Sequence, residues 1–144
     1  RISFLVGRRD VVAAFKKLRG QIDFGMFLPV QKAAIAALTG PLDMVKEQCG
    51  LYQQRRDALC GGLRSIGWNV PDSHGSMFVW APVPEKYEKS MDFCLDLVEK
   101  SGVLCTPGSS FGPLGEGYVR FALTLPPERI ADAVESIKAS GILD

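Results

Sequence analysis

Tyr118-Val119-Arg120-Phe121-Ala122-Leu123 is the stretch on which the fold turns. Val119, Phe121 and Leu123 alternate with Tyr118, Arg120 and Ala122, the period of two that marks a strand with one covered face. Just beyond it, Pro126-Pro127 suits the first turn of a helix, and Ile130, Val134 and Ile137 line one side of that helix. Just before it, Pro107 to Gly117 is rich in glycine and proline and reads as a loop. A short strand with a helix behind it places the chain in the α/β class, with helices packed on a small sheet.

Working upstream, Val103 to Thr106 reads as a strand, and Ser90 as the cap of a helix that carries Met91, Cys94, Leu95 and Val98 and closes at Gly102. Short strands are expected around Trp68–Val70 and Ser76–Trp80, separated by the turn-forming run Pro71-Asp72-Ser73-His74-Gly75. Met77-Phe78-Val79-Trp80 is apolar at every position, so the second strand is expected to be covered on both faces. Ahead of them Leu42, Val45, Cys49, Tyr52, Leu59, Leu63 and Ile66 recur in steps of three and four, the stripe of one long helix stopped by Gly67. Gly61-Gly62 inside that helix costs roughly 1 kcal/mol per residue against alanine, so a close neighbour or a bend is expected there.

The first forty residues read as a separate piece. Ile2-Ser3-Phe4-Leu5-Val6 has the composition of a strand, Asp10 can cap a helix bearing Val11, Ala14, Phe15 and Leu18 with Gly20 at its end, and Pro29 opens an alanine-rich helix to about Leu38. Gly40-Pro41 then breaks the pattern, giving two domains, 1–40 and 41–144. A strand at the start of the chain would ordinarily have neighbours on both sides, so the reading expects sequence ahead of Arg1.

Composition narrows the function. Lys plus Arg (17) nearly balances Asp plus Glu (16), leaving no field of the kind that binds nucleic acid, and no apolar run approaches the roughly 20 residues that span a bilayer. Cys49, Cys60, Cys94 and Cys105 form no C-x-x-C pair and His74 is the single histidine, so no metal site is read. Scattered thiols point to the cytoplasm. His74 lacks a Ser, Cys or acidic partner at a catalytic spacing and reads as a surface residue, and Lys16-Lys17 with Arg8, Arg9 and Arg19 reads as a solvated face. Arg120 stands among apolar neighbours, and a planar guanidinium on a rigid strand can clamp a carboxylate through two parallel hydrogen bonds. An ordinary arginine on a solvated strand face has the same local pattern.

Thr106-Pro107-Gly108-Ser109-Ser110-Phe111-Gly112, then Gly115, then Tyr118-Val119-Arg120-Phe121 resembles a signature of the class I/II, fold-type I aminotransferases that depend on pyridoxal 5'-phosphate (PLP): PGxxFG, a short loop, then RxxF or RxxL. In that family the arginine binds the substrate α-carboxylate, so the resemblance implies this role for Arg120. Pro71 to Trp80 is similar to the family's glycine turn and following strand, which implies that Gly75 and Ser76 lie beside substrate; a turn leading into a core strand accounts for the same residues. Arg1-Ile2-Ser3-Phe4-Leu5-Val6-Gly7 resembles the segment that follows the cofactor lysine, with Ser3 where glycine is usual. The likeness implies that Arg1 meets the cofactor phosphate, and a frayed chain end explains it equally.

The resemblance runs along the whole chain in order, and Phe24 to Leu38 is similar to stretches near the family's dimer interface. It implies a C-terminal portion: the small domain preceded by a tail of the large PLP-binding domain, from an enzyme that acts as a homodimer on amino acids and 2-oxo acids. The Schiff-base lysine of the family lies ahead of the position matched by Arg1. Lys16, Lys17, Lys32, Lys46, Lys86, Lys89, Lys100 and Lys138 all fall outside its context, so no catalytic residue is assigned and the chain alone is expected neither to attach PLP nor to transaminate. A PLP-dependent lyase on the same scaffold, and the ligand-sensing domain of a transcriptional regulator, remain alternatives.

Overall fold

The computed structural model describes residues 2–144. Its elements are α1 (Arg9–Ile22), α2 (Leu28–Thr39), α3 (Asp43–Ser65), β1 (Phe78–Pro82), α4 (Ser90–Ser101), β2 (Thr106–Pro107), β3 (Tyr118–Ala122) and α5 (Pro127–Ala139), with two short 3-10 turns, Gly108–Phe111 and Pro113–Gly115, between β2 and β3. Two compact units result, one ending at Met44 and the other running over Val45–Asp144.

In the first unit α2 starts as the sequence leads one to expect, with Pro29 in its first turn, and ends at Thr39 before Gly40. Three expectations are corrected. Asp10 does not cap α1: the helix starts one residue earlier, and Asp10 sits in its first turn bound to Arg8 at 2.8 Å. Gly20 does not end α1, which continues to Ile22 and closes where the Asp23 N–H donates to the Arg19 carbonyl. Residues 2–6 form no strand, because a strand exists only through its hydrogen-bonded neighbours and the described residues offer none there. Neither α1 nor α2 carries a buried residue; Phe24, Phe27 and Leu38 are among the exposed apolar side chains.

The second unit is a three-stranded antiparallel sheet of order β1-β3-β2 with helices packed on one face. Val79 and Ala81 of β1 and Val119 and Phe121 of β3 turn inward, meeting Phe93 and Leu97 of α4, Ile130, Val134 and Ile137 of α5, and Leu59, Cys60 and Leu63 from the end of α3. Each of the larger of these side chains contributes about 1.5–3 kcal/mol by burial. Trp68 ties the layers together: its ring meets Phe93 and Phe121 edge-on at 5.3 and 5.8 Å, and its Nε1–H donates to the Pro82 carbonyl at 2.7 Å.

Here too the structure departs from the sequence reading. Trp68 and Val70 are buried, yet Trp68–Val70 is irregular; the Trp68 N–H turns back to the Leu63 carbonyl to finish α3. Of the expected Val103–Thr106 strand only Thr106 pairs with β3, joined by Pro107 beyond it. Ser90 opens α4 without capping it, because its hydroxyl is bonded to Ser109. β1 is covered on one face only: Val79 is fully buried while Trp80 is 36% exposed, so the face carrying Phe78 and Trp80 opens outward. Gly102, in the left-handed conformation, closes α4 as expected.

The glycine pair in α3 divides by its surroundings. A Cβ on Gly62 would lie 2.9 Å from Val134 Cγ2, with Cγ1 and Cβ of the same residue close behind, whereas one on Gly61 meets nothing within 4 Å. Val134 is buried and stiff at χ1, so it cannot swing aside. Gly62→Ala is therefore expected to destabilise the fold by about 1–3 kcal/mol. Gly61→Ala should stabilise it by up to about 1 kcal/mol. Urea unfolding followed through tryptophan fluorescence checks both, with Val134→Ala relieving the Gly62→Ala defect in the double variant; equal effects at the two glycines would contradict the packing argument.

Candidate active site

β3 turns Val119 and Phe121 into the core, so the next residue along, Arg120, must face the other way. Antiparallel register then sets Trp80 of β1 and Thr106 of β2 on either side of it. Two phenyl rings lie against the guanidinium: its central carbon is 4.1 Å from the Phe78 ring centre and 4.5 Å from that of Phe111. Trp80 stacks on Tyr118 at 5.7 Å and meets Phe111 edge-on at the same distance. Arg120 is thus half-buried in an aromatic recess, and among the described residues its guanidinium makes no hydrogen bond or ion pair.

The recess opens into a cleft of about 370 Å³ lined by Arg120, Tyr118, Trp80, Phe78, Ser76, Ser73, Asp72 and Pro71. Asp72 is its acidic member, and it is engaged elsewhere. Arg64 of α3 donates to the Asp72 carboxylate at 2.9 Å, and that hydrogen bond holds the carboxyl below its usual pKa. The cleft therefore combines a cation with unused donors, a low-polarity floor, and an anion already neutralised by a different partner. Such a surface is suited to a ligand with a small planar anion.

Phe111 is held by the loop that carries it. Gly108 and Gly115 bring their backbones together so closely that a Cβ on Gly108 would sit 1.9 Å from the Gly115 carbonyl oxygen, and one on Gly115 would sit 2.1 Å from that of Gly108. The Glu116 carboxylate accepts the Ser90 N–H at 2.6 Å and the Gly117 N–H at 2.9 Å. These bonds, that from Gly117 foremost, keep its carboxyl below the usual carboxylate range.

Of the residues singled out in the sequence, Arg120 occupies this cleft and Gly75 does not. Gly75 is exposed in the turn ahead of β1 and borders a neighbouring depression of about 510 Å³ with Tyr52, Arg56, His74 and Met77; Ser73 and Ser76 line both hollows. Its carbonyl accepts the Ser73 hydroxyl at 2.7 Å, and Ser76 takes a positive φ of 69° with its Oγ accepting the Phe78 N–H. Arg1, assigned to the cofactor phosphate by resemblance, lies outside the described residues. His74 is exposed. The sequence reading missed the rings around Arg120. Phe78 and Trp80 share parity on β1, a usable signal, but only the register of β1 on β3 shows that their face is Arg120's face. It also missed Glu116, which carries no motif of its own.

Comparison with known proteins bears on the reaction. The family described as "Aminotransferase class I and II" matches residues 1–137. An LL-diaminopimelate aminotransferase of Halothermothrix orenii is 45% identical over 99% of this chain and 36% of its own length, and glutamate-pyruvate aminotransferase AlaC of Escherichia coli is 41% identical over 96% and 34%. Among solved structures, substrate-bound BacF from Bacillus subtilis superposes with a TM-score of 0.86 at 29% identity, covering 94% of this chain and 35% of that one. The chain spans about a third of the length of these proteins. With a motif-bearing loop and strand in the expected order, and a profile match over nearly every residue, this chain belongs to the class I and II aminotransferase family.

Proposed function

We propose that Arg120 binds the α-carboxylate of an amino-acid substrate, and that a full-length protein carrying this chain transfers an amino group between an amino acid and a 2-oxo acid. The observation that carries the reading is the guanidinium of Arg120, set against two aromatic rings with its donors unused and facing a cleft. A carboxylate there can take two parallel hydrogen bonds, which fixes its plane and thereby the position of the carbon it is attached to. Gly75 and Ser76, in the turn ahead of β1, are proposed to border the rest of the substrate. The similar proteins named above differ in the amino acids in their names, LL-diaminopimelate in one case and glutamate in the other, and share the α-amino carboxylate that Arg120 would hold.

In the same reading residues 1–40 are the end of a larger cofactor-binding domain and 41–144 the small domain; the separation of compact units after Met44 supports a boundary close to Gly40. A homodimer is proposed from the family. A cytoplasmic setting is proposed from the reduced thiols; among the described residues no helix is long and apolar enough to cross a membrane.

The family depends on pyridoxal 5'-phosphate. The described residues do not fit its attachment: every lysine of the chain is exposed, and none lines the Arg120 cleft. No step through the cofactor is assigned to this chain, whose part is to bind and orient substrate.

Two outcomes are expected. In the full-length protein Arg120→Lys keeps the charge but loses the planar fork, and should raise KM for the amino acid about 10- to 100-fold, the scale of a hydrogen-bonded charged contact. An unchanged KM would remove Arg120 from the substrate site. For the 144-residue chain itself, incubation with PLP followed by borohydride and peptide mass spectrometry should give at most scattered labelling of surface lysines. Stoichiometric trapping on one lysine would overturn the assignment of the cofactor's attachment to sequence outside this chain.

A further inference from the structure

The buried side chains of the second unit are apolar with one exception. Ser90, fully buried at the start of α4, is the buried polar residue among those described. A buried hydroxyl needs partners, and Ser90 finds them in the loop between β2 and β3: its Oγ lies 3.1 Å from Ser109 Oγ and accepts the Ser109 N–H at 3.3 Å. Its backbone N–H goes to Glu116, whose carboxylate also takes the Gly117 N–H. The loop is therefore fastened to α4 near both of its ends, at Ser109 and at Glu116. The usual arrangement is reversed: the serine at the head of the helix holds the loop, and the glutamate from the loop satisfies the first N–H of the helix, where negative charge is favoured.

Phe111 stands between those two fastenings, and its ring lies against Arg120 and edge-on to Trp80. We propose that Ser90 and Glu116 are positioning residues for Arg120: by fixing the 108–117 loop to α4 they set the Phe111 ring against the guanidinium and hold it ready for a carboxylate. The inference rests on the reading of Arg120 as the carboxylate-binding residue. Neither Ser90 nor Glu116 lines the cleft, so their effect passes through the loop and the ring. A long, rotamer-rich side chain that is already ordered loses less freedom on binding, so releasing the loop should weaken substrate binding and leave later steps alone.

The test has two independent arms. In the 144-residue chain labelled with ¹⁵N, the Arg120 Nε–Hε resonance, assigned by its loss in Arg120→Lys, reports the ring current of Phe111. Phe111→Leu should move it, and Glu116→Ala should move it in the same direction while the backbone resonances of the core residues Val79, Leu97 and Val134 stay in place. Glu116→Gln, which keeps an acceptor, should shift it less. If Phe111→Leu moves the signal and Glu116→Ala does not, the loop does not depend on Glu116 and the proposal is overturned. Should Glu116→Ala perturb the core, Ser109→Ala, which removes one hydroxyl partner of Ser90 outside the core, replaces it under the same criteria. In the full-length protein Glu116→Ala should raise KM for the amino acid roughly three- to ten-fold, the scale of one lost hydrogen bond, with kcat within about two-fold. A fall in kcat at unchanged KM contradicts positioning. Because the resonance arm needs no substrate, a shift there with no effect of Arg120→Lys on KM would separate a failed substrate assignment from a failed positioning role.

Discussion

Among the described residues β3 is the strand with neighbours on both sides, and every residue on it is committed to one of two faces. Its inward residues, Val119 and Phe121, are locked among α3, α4 and α5, which leaves Arg120 no choice but the outer face. A shift of one residue in the pairing with β1 would bury a guanidinium and expose Phe121, at a cost of several kcal/mol from the charge alone. The hydrophobic core thus fixes the register, and the register fixes which side chains surround the cation. Stability and site geometry are in this sense one constraint expressed on opposite faces of a short sheet.

The helices were legible in the sequence because their determinants are local. Stripes at steps of three and four, Pro29 and Pro127 in first turns and Gly102 past an end located α2 through α5 to within a residue or two. The strands were less legible because strand character is conferred by a partner. Residues 2–6 and Trp68–Val70 have the composition of strands without the neighbours, and Val103–Thr106 meets β3 only at its end. Ser90 misled for a related reason: a serine before an apolar helical stripe reads as a cap, and its actual partner is nineteen positions away at Ser109. Of the site, Arg120 was visible by alternation and by the motif, while its aromatic surround depends on which residue of β1 faces which residue of β3.

The family assignment and the physical reading meet at the loop. PGxxFG could be taken as a string of flexible residues, yet one of its features is steric and one is chemical. Gly108 is required because its Cα lies against the backbone at Gly115, and Phe111 supplies a ring to Arg120. The loop is short and closed on itself, tied down at Ser109 and Glu116. The arginine would work poorly on a mobile strand and the ring poorly on a mobile loop, so motif and strand form a single unit despite the residues between them.

The ion pair between Arg64 and Asp72 has a consequence for the cleft that it borders. Asp72 and Arg120 line the same hollow, and under the role proposed for Arg120 a free carboxylate there would be a tethered competitor of an incoming one. Arg64, anchored on α3 and also donating to the Val70 carbonyl at 2.9 Å, keeps that carboxylate occupied. The acidic group in the cleft wall is thereby paired before any ligand arrives.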